Sequence, residues 1–241
     1  MPLAITRGGA SIQGFKSLMG KAAPLIPPSI GAPYEGGFFF GVINDNGTLY
    51  ELIISPKAQG QSNQAYASSA NLGSDNNYSV TDGWSNTNVN LTAARPANAW
   101  ARSLTINGYN DWYIAARDEM ELMYRNLKPV TNANTTGNRT YTTQQGDTVF
   151  TVGNNQNSVP IGAAYTTTDP AMTSLPEFQA PSGTEVIAST SFAFCTSTRY
   201  LGNTTSMLFQ GMDNGRQTVG TGYTAALPVR VIRRKLRPNY G

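Results

Sequence analysis

The chain has 241 residues, room for one large or two small domains, and 13% of them are charged, against roughly 25% in an ordinary globular chain. Net charge is +3, histidine is absent and Cys195 is the single cysteine. An intrachain disulfide, a His-based triad, most zinc sites and the usual general base near neutral pH are therefore excluded.

Residues 1–35 hold Gly8, Gly9, Gly14, Gly20, Pro24, Pro27, Pro28 and Pro33. That density prevents a regular helix or a central strand. Ile5, Ile12, Phe15, Leu18, Met19, Leu25, Ile26 and Ile30 make the segment too apolar for a solvated linker. It reads as an extended arm lying on a neighbouring subunit. Met1 to Ile12 shows no basic region followed by an apolar one, so no signal peptide is expected. No apolar window is long enough to span a membrane.

Residues 37–43 and 48–54 read as a strand pair across the turn Asn44-Asp45-Asn46-Gly47. Residues 55–91 are polar and read as loops, with a strand near Trp84. A helix is predicted from Ala93 to Leu104, capped by Thr92, with Pro96 in its first turns. A second follows, where Met120, Met123, Tyr124 and Leu127 share one face while Arg117, Glu121 and Arg125 occupy others. Asp118 and Glu119 lie in its first turn and Pro129 just past its end.

Residues 130–190 form another polar region, broken by apolar runs at 149–152 and 161–165. Strands are expected at 191–198, 206–210 and 227–234, with a turn at Asp213-Asn214-Gly215. The basic run Arg230, Arg233, Arg234, Lys235 and Arg237 reads as a solvated strand and tail. No second basic cluster supports a nucleic-acid footprint. The resulting division is an arm at 1–35, a domain at 36–236 and a tail at 237–241.

The order of these pieces resembles a known family. Tyr109-Asn110-Asp111-Trp112-Tyr113-Ile114-Ala115-Ala116-Arg117-Asp118-Glu119-Met120-Glu121-Leu122-Met123-Tyr124 is similar to the block DW-x-L-P-x-R/K-x-E-L-x-L-L-Y of the collagen-like adhesin Lcl C-terminal domain family. That family ends on Y-W-S-S-T, then D-G, then V-R-A-V-R-R. Here the ending reads Phe194-Cys195-Thr196-Ser197-Thr198, Asp213-Asn214-Gly215, and Val229-Arg230-Val231-Ile232-Arg233-Arg234. By order of motifs the resemblance covers roughly residues 36–236; Ala115 and Phe194 depart from the proline and tryptophan of the pattern.

The resemblance implies an α+β, C-type-lectin-like fold with two helices, small antiparallel sheets and long irregular loops. The formylglycine-generating enzymes and phage tropism determinants share that fold group. Their cysteine chemistry is not carried over, because Cys195 is alone. The Glu-Pro-Asn, Gln-Pro-Asp and Trp-Asn-Asp elements of calcium-dependent sugar binding do not occur, so neither metal nor cofactor is expected.

Glu119 and Glu121, two residues apart on a helix, cannot flank one bond as an acid/base pair. Glu119 reads as an anchor of the helix to the sheet, with Met120 and Tyr124 in the core beside it. Trp112 reads as a core tryptophan, and Asp111 as an acceptor of backbone N–H groups at its turn. Cys195 reads as a small buried hydrophobe. The ligand surface is expected on loops between the closing strands, at Arg199, Tyr200, Asn203, Thr204, Thr205, Asp213, Asn214, Arg216 and Tyr223. Rigid aromatic area with flexible hydrogen bonding suits adaptable binding there.

The leading expectation is a non-enzymatic phage virion protein, assembled in the host cytoplasm. The domain would adhere to a host-surface glycan or protein as a tail-fibre or receptor-binding component. The arm would contact other virion proteins, in a homo-oligomer for which a trimer is the guess, with no nucleic-acid or membrane partner. The alternative is a structural decoration of capsid, collar or baseplate. An enzyme related to the formylglycine group is the least supported reading.

Overall fold

The computed structural model describes residues 28–69, 75–143, 146–187, 193–202, 206–220 and 224–239. The fold is α+β, with small antiparallel sheets and few helices. In chain order the elements begin with β1 (Pro33–Tyr34), β2 (Gly37–Asp45), β3 (Thr48–Ile54), α1 (Lys57–Gly60), β4 (Gln61–Ala65), α2 (Gly83–Asn88) and α3 (Pro96–Ser103). There follow β5 (Tyr113–Ile114), α4 (Arg117–Leu127), β6 (Asn138–Thr143), β7 (Gly146–Thr151) and β8 (Ser158–Val159). A 3-10 turn at Pro176–Phe178 precedes β9 (Ala193–Arg199), β10 (Met207–Gly211), β11 (Gln217–Gly220) and β12 (Ala226–Leu236).

The main sheet runs β1-β2-β3-β12-β4, with β5 added to β12 and β8 to β2. The β2–β3 hairpin turns at Asn46 and Gly47, both with positive φ (51° and 89°), as Asn-Gly allows. Both faces of this sheet are covered, which explains the near-continuous apolar runs of β2 and β3. Leu52 and Ile54 join a core cluster with Met120, Met123, Tyr124 and Leu127 of α4. Ile53, between them in sequence, joins a second cluster with Ala97 and Ala101 of α3, Trp112, Val229 and Val231. Tyr113 and Ile114 of β5 divide between the clusters in the same way.

Several expectations change. Four α-helices, rather than two, stand among the described residues. The segment at Trp84 is helix α2 instead of a strand. Asp82 caps it by accepting from Ser85 N at 2.9 Å, and Trp84 packs edge-on to the Tyr113 ring. Helix α3 begins at Pro96, with Arg95 in the cap position, so Thr92 is one turn too early. Thr92 instead shapes the preceding turn through its hydroxyl. Strand β4 has no apolar alternation; it forms because the β12 edge offers backbone hydrogen bonds to residues 61–65.

The domain boundary also moves. The compact unit spans Pro28–Arg237, and β1 pairs with β2. Gly31 N donates to Phe39 O at 2.8 Å, and Phe39 N to Ala32 O at 3.0 Å. Residues 28–35 therefore belong to the domain, because the free edge of β2 takes them as a strand. The rest of the predicted arm, residues 1–27, lies outside the described residues.

Helix α4 packs tightly on the sheet at Gly41, where β2 carries a bulge and φ is +155°. A Cβ there would stand 2.6 Å from Leu122 Cδ2. Gly41→Ala is expected to lower the free energy of unfolding by about 2–4 kcal/mol in urea titration. A change under about 0.5 kcal/mol would show that the sheet and α4 can separate freely at this point.

Candidate functional site

Helix α4 carries the densest charge of the chain, and the tertiary structure buries it. Eight of its eleven residues are buried, including Asp118, Glu119 and Glu121. An isolated buried carboxylate is costly unless hydrogen-bonded or paired. Each of the three is satisfied by a different part of the chain. Glu119 accepts from Ala116 N (2.7 Å), Tyr113 Oη (2.7 Å) and Gly83 N (3.2 Å). It thus caps its own helix and fixes both β5 and the start of α2. Asp118 accepts from Asn157 Nδ2 at 2.8 Å and pairs with Arg117. Glu121 accepts from Asn155 Nδ2 (2.7 Å), Tyr165 Oη (2.9 Å) and Arg125 Nε (3.0 Å).

Arg125 in turn donates to the Gly153 and Ala163 carbonyls. Below the helix, the buried Lys128 ammonium donates to Asn132 O (2.6 Å), Asn134 Oδ1 (2.7 Å) and Pro170 O (3.1 Å). Tyr124 Oη also donates to Asn134 Oδ1, at 2.6 Å. Glu119, Glu121, Arg125 and Lys128 are therefore internal tethers for the long polar segments around 80–83, 131–134 and 153–170. Glu119 and Glu121 diverge as their spacing requires, and no bond lies between them.

The C-terminal basic run is likewise engaged inside the fold. Arg230 is fully buried, pairs with Glu185 and donates to Ser55 O; burial pulls its guanidinium down to about 10. Arg233 grips Asp111 with two bonds, of 2.6 and 2.8 Å. Arg234 pairs with Asp45 and Asp82, and Lys235 with Glu35. Asp111 thus holds a guanidinium rather than the backbone N–H groups expected at its turn. Trp112 is fully buried, in the cluster beside α3 rather than beside α4. Its indole N–H donates to Tyr109 O at 2.9 Å. Cys195 is buried on β9, and burial pushes its thiol well up.

The residues expected to form one ligand surface separate into two places. Strands β9 and β10 are antiparallel, with Arg199 opposite Met207 and Ala193 opposite Gly211. Arg199 and Tyr200 therefore stand at one end of the three-stranded sheet and Asp213, Asn214 and Arg216 at the other. Four residue steps along β10, from Met207 to Gly211 and about 14 Å, lie between. Arg199 is 3% exposed and donates to Asp75 O at 3.0 Å, beside the Tyr78 ring, so it is an internal tie and not a loop contact. Tyr200 is half-buried, its N–H on Ser206 O. Asn203, Thr204, Thr205 and Tyr223 lie outside the described residues.

The other end is a built turn. Gly211 N donates to Arg216 O (2.7 Å), Gly215 N to Gly211 O (3.0 Å), and Arg216 N to Asn214 Oδ1 (3.0 Å). Thr135 N donates to Asn214 O at 2.7 Å. Gly215 has φ +69° and lies so close to the buried rings that a Cβ would stand 2.6 Å from Tyr124 and 2.7 Å from Tyr165. The turn is thereby pressed onto α4. Asp213, Asn214 and Arg216 line a pocket of about 350 Å³ with Ala193, Gly211 and Thr218. The last three were not among the expected site residues; they enter by strand pairing, which no local pattern marks.

No group of three or more His, Cys, Asp or Glu side chains arranged to hold a metal ion occurs among the described residues. No described helix is long and apolar enough to cross a membrane. No family model, curated protein or solved structure matches the chain.

Burial raises the Glu119 carboxyl to about 8, despite its three hydrogen-bond donors. A raised carboxyl contributes stability below its ordinary value of 4.5 and loses it as pH climbs through the folded value. Wild-type unfolding free energy is expected to fall by on the order of 3 kcal/mol between about pH 5 and pH 8.5. Glu119→Gln keeps an acceptor for Ala116 N and should flatten this slope in urea titrations across that range. An unchanged slope would rule out Glu119 as its source.

Proposed function

We propose that the chain is a bacteriophage virion protein whose C-type-lectin-like domain adheres to a host-surface glycan or protein, as a tail-fibre or receptor-binding component. The observation that carries this reading is the tethering of long polar segments to α4 by Asp118, Glu121, Arg125 and Lys128. Loops of Asn, Thr and Gly have little apolar surface to hold them, and here buried ionic groups fix them in place. Fixing a loop before it meets a ligand lowers the ordering cost of binding. The turn at Asp213–Arg216 is fixed differently, by backbone hydrogen bonds and the packing of Gly215 on Tyr124 and Tyr165, with a pocket beside it.

The lectin-like assignment rests on the order of the helix block and the closing strands, and on β12 as the long strand that unites β3, β4 and β5. Weak single sites would act together in a particle carrying many copies, through effective concentration. Docking to the particle is assigned to residues 1–27, in a homo-oligomer.

A second reading, structural decoration of the capsid, collar or baseplate, is favoured by a different feature. Phe39, Val42, Leu122, Pro160 and Ile161 line an apolar groove of about 330 Å³, and Ile161 is 63% exposed. Such a groove suits a subunit contact.

Fluorescently labelled protein applied to a panel of bacterial strains separates the two. Saturable binding to some strains, lost on replacing Asp213, Asn214 and Arg216 together by Ala, is expected for adhesion. Binding that survives this triple replacement would move the site away from the turn. Absence of binding to every strain, with the Ile161 groove covered by a neighbour in a map of the particle, would establish decoration instead.

A further inference from the structure

Lys128 is a buried lysine without an acid. It is 2% exposed, and none of the ion pairs among the described residues includes it. Lysine is almost never buried to this degree unless paired. Its Nζ meets three carbonyl oxygens instead: Asn132 O at 2.6 Å, Asn134 Oδ1 at 2.7 Å and Pro170 O at 3.1 Å. Burial pulls the ammonium below its ordinary value. Once the proton leaves, a neutral and nucleophilic amine faces a side-chain amide.

That amide is held on every side. Asn134 Nδ2 donates to Thr166 O and to Pro170 O, each at 3.0 Å, so the group cannot turn away. Oδ1 accepts from Tyr124 Oη at 2.6 Å as well as from Lys128. A hydroxyl there is placed to stabilise negative charge that develops on this oxygen. Burial, and after it the Asp213 carboxylate, push the Tyr124 phenol up, so it stays protonated and remains a donor. With a C=O bond of about 1.23 Å and an angle of about 120° at the oxygen, Nζ stands about 3.5 Å from Asn134 Cγ. That is the outer edge of near-attack distance, where well-oriented groups react with effective molarities of roughly 10⁵–10⁸ M.

We propose that Lys128 and Asn134 join in an isopeptide bond, a self-made cross-link that closes residues 128–134. The Lys128 amine attacks Asn134 Cγ, and the oxygen leans on the Tyr124 hydroxyl as it gains charge. The Nζ–Cγ bond forms and the Cγ–Nδ2 bond breaks. One hydrogen of the amine stays on the new amide nitrogen. The other passes to the leaving nitrogen, which departs as ammonia, so the step needs no oxidant and no co-reactant. Lys128 also lines a surface pocket of about 380 Å³ with Thr131, Ala133 and Thr167, which gives ammonia a way out. The product replaces a buried ammonium by a neutral amide and so removes the cost of burying a charge. The loop it locks is bonded to the turn at Asp213–Arg216, through Thr135 N and Asn214 O at 2.7 Å. The cross-link stands or falls independently of the adhesive reading.

The test is the mass of the purified full chain under denaturing conditions, before and after the folded protein is held for a week at pH 9. The wild type is expected to weigh less than its sequence by one ammonia. Trypsin passes over Lys128-Pro129, so both residues fall in the peptide Asn126–Arg139. That peptide should carry the deficit and give no fragment ions from backbone breaks between Lys128 and Asn134. A succinimide also loses ammonia, but hydroxylamine opens it and leaves an isopeptide bond intact. Tyr124→Phe keeps the ring and loses the donor, and is expected to slow joining at least tenfold. Lys128→Met and Asn134→Ala should each restore the full mass.

A wild-type chain of full sequence mass after the incubation at pH 9, with ordinary fragmentation between Lys128 and Asn134, overturns the inference and leaves a carbonyl cage around an ammonium. So does a deficit that hydroxylamine removes or that maps outside Asn126–Arg139. These outcomes are read on the wild type, so they hold whether or not the variants fold.

Discussion

The burial of helix α4 is the constraint on which the rest of the structure depends. One side of the helix is apolar and meets the main sheet, as its sequence requires. The other side holds Asp118, Glu121 and Arg125, and it is covered too. Covering carboxylates is tolerable only if hydrogen bonds replace the water they lose. The chain supplies these from Asn155, Asn157 and Tyr165, on the irregular segment that follows β7. The same hydrogen bonds that satisfy the buried carboxylates of the helix also fix the loops against it.

A second set of ionic contacts performs a parallel task on the far strand. Arg230, Arg233, Arg234 and Lys235 project from alternate faces of β12 and tie it to Glu185, Asp111, Glu35, Asp45 and Asp82. These acids come from segments widely spaced in the chain. With few charges available, those on β12 join elements that sequence separates by dozens of residues. A chain poor in disulfides and in charge thus gains cohesion from a small number of partly buried pairs. Asp213 and Arg216, which share one turn, are not in this set of pairs.

Legibility in the sequence varied with the range of the interaction. The β2–β3 hairpin was readable because Asn46-Gly47 and the flanking apolar runs are local signals. The extent of α4 was readable from the spacing of Met120, Met123, Tyr124 and Leu127 and from Pro129 behind it. Helix α2 was missed because its cap, Asp82, and its packing partner, Tyr113, compete with a composition that looks like loop. Strand β4 was missed because its only reason to extend is the edge of β12. The candidate site was half legible: turn chemistry marked Asp213 to Arg216, but the same reasoning joined them to Arg199 and Tyr200, which antiparallel pairing sends to the other end of the sheet.

By itself, then, the sequence determined the elements that local geometry dictates: a turn where Asn-Gly permits positive φ, a helix where apolar residues recur at its period, a stop at proline. It also determined the short menu of chemistry, since a chain without histidine and with one cysteine has few catalytic options. Tertiary structure alone decided which charges would be buried, which would be paired and which would stay free. Those outcomes depend on partners far along the chain, such as Arg233 with Asp111 and Glu121 with Asn155. A side chain's residue type fixes its charge, but its surroundings fix whether that charge holds the fold together or remains available to a ligand.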